Sequence, residues 1–383
     1  MMKLKILFVI DSLGTGGAER ELAEKLPHLG RMGVEPIVVS LRPREEGVQG
    51  DLQRQGFDVR ILRARGIFER VLALRRIIRT EQPDVIETVL FHSDLAGRLA
   101  AIGTSAKLIS RLVSTDYDDI RFHDPTIRPM RFRLARVIDG WTARHLTHYI
   151  IACSNAVKIA AIRDLSITPE HITIIKQGPE STRLGHPSVQ RRIQARIRLG
   201  FDEHQEVLIN VGRQDYPKGQ RYLLEAMAML MPLHPKLLVL VVGRAGDVSS
   251  ELVRLRDRLD LKNQVHLLGH REDIPELLAA ADMFVFPSLY EGLPRAVIEA
   301  MALSLPIVAS DIESVRETVE ESHNAILVKP GSPGELASAI ECILKDRQTA
   351  QAFGRRSREI FEERFNLERS MVRLVQFYRE AVR

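Results

Sequence analysis

The chain has 383 residues, 45% of them hydrophobic and 27% charged, with a formal net charge of +5. This is the length of two or three domains and an ordinary composition for a soluble globular protein. The two cysteines, Cys153 and Cys342, are far apart, which excludes a disulfide framework and a cysteine metal cluster and fits a reducing compartment.

The opening apolar run, Lys3 to Ile10, is short and stops at Asp11, so it reads as a buried first strand rather than a signal peptide. Further strands are predicted at Pro36–Leu41, Val59–Leu62, Val85–Leu90, Leu108–Leu112 and Tyr149–Ala152. Helical stretches such as Ala18–Arg31 lie between them, giving a doubly wound sheet. The segment Gln177–His186, rich in Gly, Pro and Ser, interrupts the pattern and places a boundary there, with domains at 1–178 and 179–383. The second half repeats the scheme, with strands at Val207–Val211, Leu237–Val242, Val265–Leu268, Met283–Phe286, Ile307–Ala309 and Ile326–Val328. Three amphipathic stretches close the chain: Ser332–Lys345, Ala350–Phe365 and Leu367–Val382. No segment approaches the roughly 20 apolar residues of a transmembrane helix.

Charge is unevenly divided, with a net +6 on residues 1–178 and −1 on residues 179–383. The excess gathers at Arg70, Arg75, Arg76 and Arg79, and along Arg128, Arg131, Arg133, Arg136 and Arg144. The latter arginines alternate with Ile127, Met130, Phe132, Leu134 and Ile138, the pattern of a basic amphipathic helix suited to an anionic membrane surface or an acidic acceptor. A solvated arginine face on a core helix has the same pattern. Nucleic acid is not expected as a partner, because no aromatic platform or known module accompanies the charge.

Two segments of the second half carry chemistry. In Glu291-Gly-Leu-Pro-Arg-Ala-Val-Ile-Glu299 the second carboxylate lies inside an apolar run, where an ionised group needs dedicated donors. A ribose diol offers two O–H groups, and a core arginine is the alternative partner. Pro294 reads as the first position of a helix, with amides at Gly292 and Leu293 facing a phosphate that the helix dipole favours. Upstream, the strand Val207–Val211 ends in Gly212-Arg213, and Lys218-Gly219 opens the next helix. A guanidinium and an ammonium at the carboxyl end of a strand suit a diphosphate.

These motifs together resemble family 4 retaining glycosyltransferases of the GT-B fold. The resemblance extends through Ser288-Leu-Tyr-Glu-Gly-Leu-Pro294, Pro306-Ile-Val-Ala-Ser-Asp311 and Gly14-Thr-Gly-Gly-Ala-Glu-Arg20, and covers nearly the whole chain. It implies two doubly wound, Rossmann-like α/β domains facing across a cleft, acceptor-binding at 1–178 and donor-binding at 179–383. The last helix, about 367–383, crosses back to the first domain. It also implies transfer of a hexose, with retained configuration, from a nucleoside diphosphate sugar to a hydroxyl of a glycan, lipid-linked or small-molecule acceptor. In that reading Arg213 and Lys218 stabilise the leaving diphosphate, Glu291 holds sugar hydroxyls, and Glu299 holds the ribose. Gly212, Gly292, Leu293 and Arg271 complete the donor site. Gly16 and Gly17 let the backbone of the first domain approach the donor phosphates.

Many relatives place a histidine after the strand that ends here near Leu112. This chain has Ser114-Thr115-Asp116, so Asp116 is the candidate for that role, and His92 and His123 do not clearly replace it. Asp116-Tyr117-Asp118 also matches a DxD metal motif, but Arg213 and Lys218 already supply positive charge, so neither a cofactor nor a divalent metal is expected. The enzyme is expected in the cytoplasm, peripheral at the inner membrane face. Two rivals remain: a catalytically silent nucleotide-sugar-binding protein, and an NAD-dependent oxidoreductase, for which the third glycine of the dinucleotide fingerprint is missing.

Overall fold

The computed structural model describes residues 3–124, 126–202 and 204–383. The chain divides into two compact units, Met1–Asp119 with Arg128–Gln177 and Leu367–Arg383, and Ile120–Ile127 with Gly178–Asn366.

The first unit is built on seven strands: β1 (Leu4–Ile10), β2 (Val34–Ser40), β3 (Asp58–Ile61), β4 (Val85–Val89), β5 (Lys107–Leu112), β6 (Tyr149–Ala152) and β7 (Ile172–Ile174). They form one parallel sheet in the order β3-β2-β1-β4-β5-β6-β7. The near-continuous apolar run of β1 follows from burial on both faces. Ile6, Phe8 and Ile10 pack with Leu22 and Leu26 of the helix Gly17–Arg31 and with Leu374 and Tyr378 of the final helix, Leu367–Ala381. Leu7 and Val9 pack on the other face against Leu74, Ile78, Ala96 and Ala100. The final helix is therefore part of the core of this unit. Its Tyr378 hydroxyl donates to Glu87 in the middle of β4, and Lys25 pairs with the same carboxylate, all three side chains being buried.

The second unit has six parallel strands: β8 (Val207–Val211), β9 (Leu238–Val242), β10 (Val265–Gly269), β11 (Met283–Phe286), β12 (Ile307–Ser310) and β13 (Ala325–Val328). Their order is β10-β9-β8-β11-β12-β13. Strand β9 alternates between the two cores, Leu240 and Val242 facing one and Val239 and Val241 the other. Each sheet reverses its winding once, between β1 and β4 and between β8 and β11. Crevices for ligands form beyond the carboxyl ends of the strands at such points.

Candidate functional site

In the second unit, β8 and β11 deliver their loops to the same end of the sheet. After β8 the chain runs through Gly212 and Arg213 into a short 3-10 turn, Tyr216–Lys218, and then the helix Gln220–Leu230. Gly219 joins the two with φ +60, and a Cβ there would stand 2.0 Å from the Pro287 carbonyl oxygen, so only glycine lets this loop rest on the loop after β11. The Leu289 amide donates to the Pro217 carbonyl at 2.8 Å, tying the loops together. Beneath them, Asn210 Nδ2 donates to the Val285 carbonyl at 2.9 Å, and Gln220 Nε2 donates to Asn210 Oδ1 and the Gly212 carbonyl at 3.1 Å each.

This frame brings Lys218 Nζ to 2.5 Å from Glu291 Oε1, both side chains being largely sheltered. The Lys218 stem lies along Gly212, where a Cβ would be 3.4 Å from Cδ. Arg213 shares the loop, half-exposed, with Nη1 2.8 Å from Asp215 Oδ2. Gly292 and Leu293 immediately precede Pro294, which caps the helix Arg295–Ala302 rather than occupying its first turn.

Glu299 is buried in that helix, and its carboxylate accepts from Arg183 and lies 3.6 Å from Arg295 Nε. The burial is thus explained by guanidinium partners of the chain itself, so it does not by itself require a ribose. Arg183 comes from the four-residue helix Ser181–Leu184, just after the change of unit, and no local pattern announces it. Arg271 follows β10, the edge strand, and is clamped by Asp273 through Nε at 2.7 Å and Nη2 at 2.5 Å. Strand β9 intervenes between β10 and β8, which puts this loop roughly 10 Å across the sheet from the one bearing Lys218.

In the first unit, Gly16 caps the helix Gly17–Arg31 in extended backbone. A Cβ at Gly16 would meet Glu19 Oε2 at 2.4 Å, whereas one at Gly17 would meet nothing within 4 Å. Asp116 lies on the loop after β5, and its charge, with that of Asp139, adds to burial in pushing the Tyr117 phenol up. A residue pair missed in the sequence sits where β1 and β4 diverge. His92 Nδ1 is 2.9 Å from Asp11 Oδ2, and the Ser93 amide and hydroxyl donate to Asp11 Oδ1 at 2.8 and 2.7 Å. Burial pushes the Asp11 carboxyl up, but His92 and Ser93 outweigh it and hold the group below the usual range. The available signal was positional, since Asp11 directly follows β1 and His92 comes three residues after β4, where the next helix begins, at the reversal of winding. His123, by contrast, is exposed, with Nδ1 3.3 Å from the Ile120 carbonyl oxygen. Among the described residues no three His, Cys, Asp or Glu side chains converge as a metal site would require.

Two parallel sheets in these orders, the second carrying a lysine and a glutamate at its reversal, define a two-unit, doubly wound α/β protein of the GT-B class with a ligand crevice in its second unit. Family models agree with the geometry: Glycosyltransferase Family 4 matches residues 15–182, and Glycosyl transferases group 1 matches residues 191–360. The chain belongs to glycosyltransferase family 4. The UDP-Gal:alpha-D-GlcNAc-diphosphoundecaprenol alpha-1,3-galactosyltransferase of Escherichia coli is 25% identical over 283 residues, 72% of this chain and 70% of that protein. Alpha-maltose-1-phosphate synthase of Mycolicibacterium smegmatis is 25% identical over 333 residues, 80% of this chain and 81% of that one. Among solved structures, Anabaena HepE in complex with UDP and glucose has a TM-score of 0.84 at 25% identity, covering 98% of this chain and 100% of its own. The protein is therefore a glycosyltransferase that draws its sugar from a nucleotide sugar.

Proposed function

We propose that the protein transfers a hexose from a nucleoside diphosphate sugar to a hydroxyl of a glycan or lipid-linked acceptor, with retention of configuration and without a metal. The departing diphosphate takes the proton of the incoming hydroxyl on the same face of the sugar, so the protein's contribution is electrostatic. Arg213 and Lys218 neutralise the charge growing on the phosphates, with the backbone at Gly212, Gly292 and Leu293 beside them. Glu291 holds sugar hydroxyls. Glu299 grips the ribose through the oxygen turned away from Arg183, and Arg271 reaches the donor from the outer edge of the sheet. Gly16 and Gly17 of the acceptor-binding unit admit the donor phosphates, and Asp116 faces the transferred sugar. The reaction runs on the cytoplasmic side, with the protein peripheral at the inner membrane surface.

The observation that carries this reading is the Lys218–Glu291 pair at the reversal of the second sheet, in a chain of this family. UDP and glucose in the HepE complex, and a diphosphoundecaprenol acceptor in the name of the Escherichia coli relative, support the donor class and a lipid-linked acceptor. The test is incubation with a panel of nucleotide sugars in EDTA, with and without acceptors, after a thermal-shift screen of UDP, GDP and ADP. Donor turnover in EDTA is the expected result. Nucleotide binding without turnover would instead identify a silent sugar-nucleotide module.

A further inference from the structure

We propose that the helix Pro129–Leu146 docks on an anionic lipid bilayer, lying in the plane of the headgroups. This deepens the reading of a lipid-linked acceptor and rests on it. At about 100° per residue, Met130, Leu134, Val137, Ile138 and Trp141 share an arc of roughly 100° along this helix. All five are exposed, Met130 by 85%, Val137 by 67%, Leu134 by 61%, Trp141 by 52% and Ile138 by 37%. Exposed Arg133 borders one margin of the stripe and exposed Arg131 the other, with exposed His145 inside it. The single carboxylate of the helix, Asp139, is buried and accepts from Arg98 Nη1 at 2.5 Å, so the outward face carries no negative charge.

The inner face fixes this orientation. Gly140, Thr142 and Ala143 are buried, and a Cβ at Gly140 would stand 3.2 Å from the Leu165 carbonyl oxygen, which holds the helix close to its neighbour Asn155–Leu165. The stripe spans about 16 Å from Met130 to Trp141 at 1.5 Å per residue. A one-sided stripe of this kind lies on a membrane rather than crossing it. Its margins decide the partner, because basic residues beside an apolar face complement anionic headgroups. Two copies of the chain meeting through this face would set arginines against arginines, which costs affinity.

Trp141 is the chain's one tryptophan, so tryptophan emission, excited beyond the absorption of tyrosine, reports this helix alone. The full chain would be titrated with vesicles of phosphatidylglycerol and phosphatidylcholine, and with phosphatidylcholine alone, following the Trp141 emission and flotation. The expected result is a blue shift and flotation with the anionic vesicles, weakened by salt. Leu134→Glu with Val137→Glu should reduce partitioning by tenfold or more, and Arg131→Glu with Arg133→Glu should remove the preference for phosphatidylglycerol, the first through lost apolar burial and the second through reversed charge beside the anionic headgroups. Both double variants should melt cooperatively and keep nucleotide affinity and donor turnover in solution, since they lie outside the donor site. Equal binding to both vesicle types, no binding, or concentration-dependent self-association through this face would overturn the proposal. Vesicle binding without any sugar-nucleotide turnover would instead count against the transfer reading, leaving the surface in place.

Discussion

Lys218 Nζ stands 2.5 Å from Glu291 Oε1, so the cation assigned to the diphosphate and the carboxylate assigned to the sugar neutralise each other across two loops. The pairing makes their roles separable. Lys218→Ala should lower kcat/KM by about 10²- to 10³-fold, the scale of losing one preorganised charge at a leaving group. Glu291→Gln should leave affinity for the free nucleoside diphosphate near normal while turnover collapses. Steady-state kinetics beside calorimetric binding of the diphosphate would separate the two, and near-normal turnover in Lys218→Ala would contradict the phosphate assignment.

Glu299 needs a different comparison, because Arg183 already satisfies it. Glu299→Gln should weaken nucleotide binding by about tenfold, the worth of a hydrogen bond to a charged group. If the carboxylate served only to neutralise Arg183, removing both charges in Arg183→Gln with Glu299→Gln would restore affinity. We expect the deficit to persist in the double variant, measured as the Kd of the nucleoside diphosphate. Recovery to the wild-type value would end the ribose assignment.

Local patterns were legible in the sequence and distant partnerships were not. Strand β1 could be read because an uninterrupted apolar run has few other uses, and the Lys218 loop because it follows such a run directly. Strand β7 escaped: its three residues owe their conformation to pairing with β6 rather than to any period of their own. Lys25 sits on a helix whose lysines would ordinarily be solvated, and its burial depends on Glu87 and Tyr378, which chain order does not bring near. The same holds for Arg183 with Glu299 and for Asp11 with His92. In each case the residue type is visible in the sequence, whereas its partner is supplied by the sheet order.

Gly219 tests whether the register of the two loops matters to the chemistry. An alanine there would combine left-handed backbone with a Cβ 2.0 Å from the Pro287 carbonyl oxygen, forcing the Lys218 loop off the Glu291 loop. A cost of about 1–3 kcal/mol in stability is expected from such overpacking. Activity should fall further than stability alone explains, because displacement by about 1 Å can cost on the order of 10²-fold in rate. Thermal melts and donor turnover on the same preparation would decide it. Unchanged turnover with an unchanged Tm would mean that the loops are not held in the way described.

His148 should make the stability of the chain depend on pH below about 6.5. The Leu108 amide donates to His148 Nδ1 at 3.1 Å, so that nitrogen must carry a lone pair and the ring must be neutral. Partial burial of the ring, aided by the nearby Lys107 charge, pulls its pKa below the ordinary 6.5. The unfolded chain therefore takes up the proton first as pH falls. The stabilisation from this group is complete above about pH 6.5, declines as pH drops towards the folded value, and is spent below it. His148→Asn keeps an acceptor for the amide but cannot be protonated in this range, so its Tm should fall less than that of the wild type between pH 7.5 and pH 5. Parallel slopes for the two proteins across that interval would show that His148 contributes nothing to the pH response.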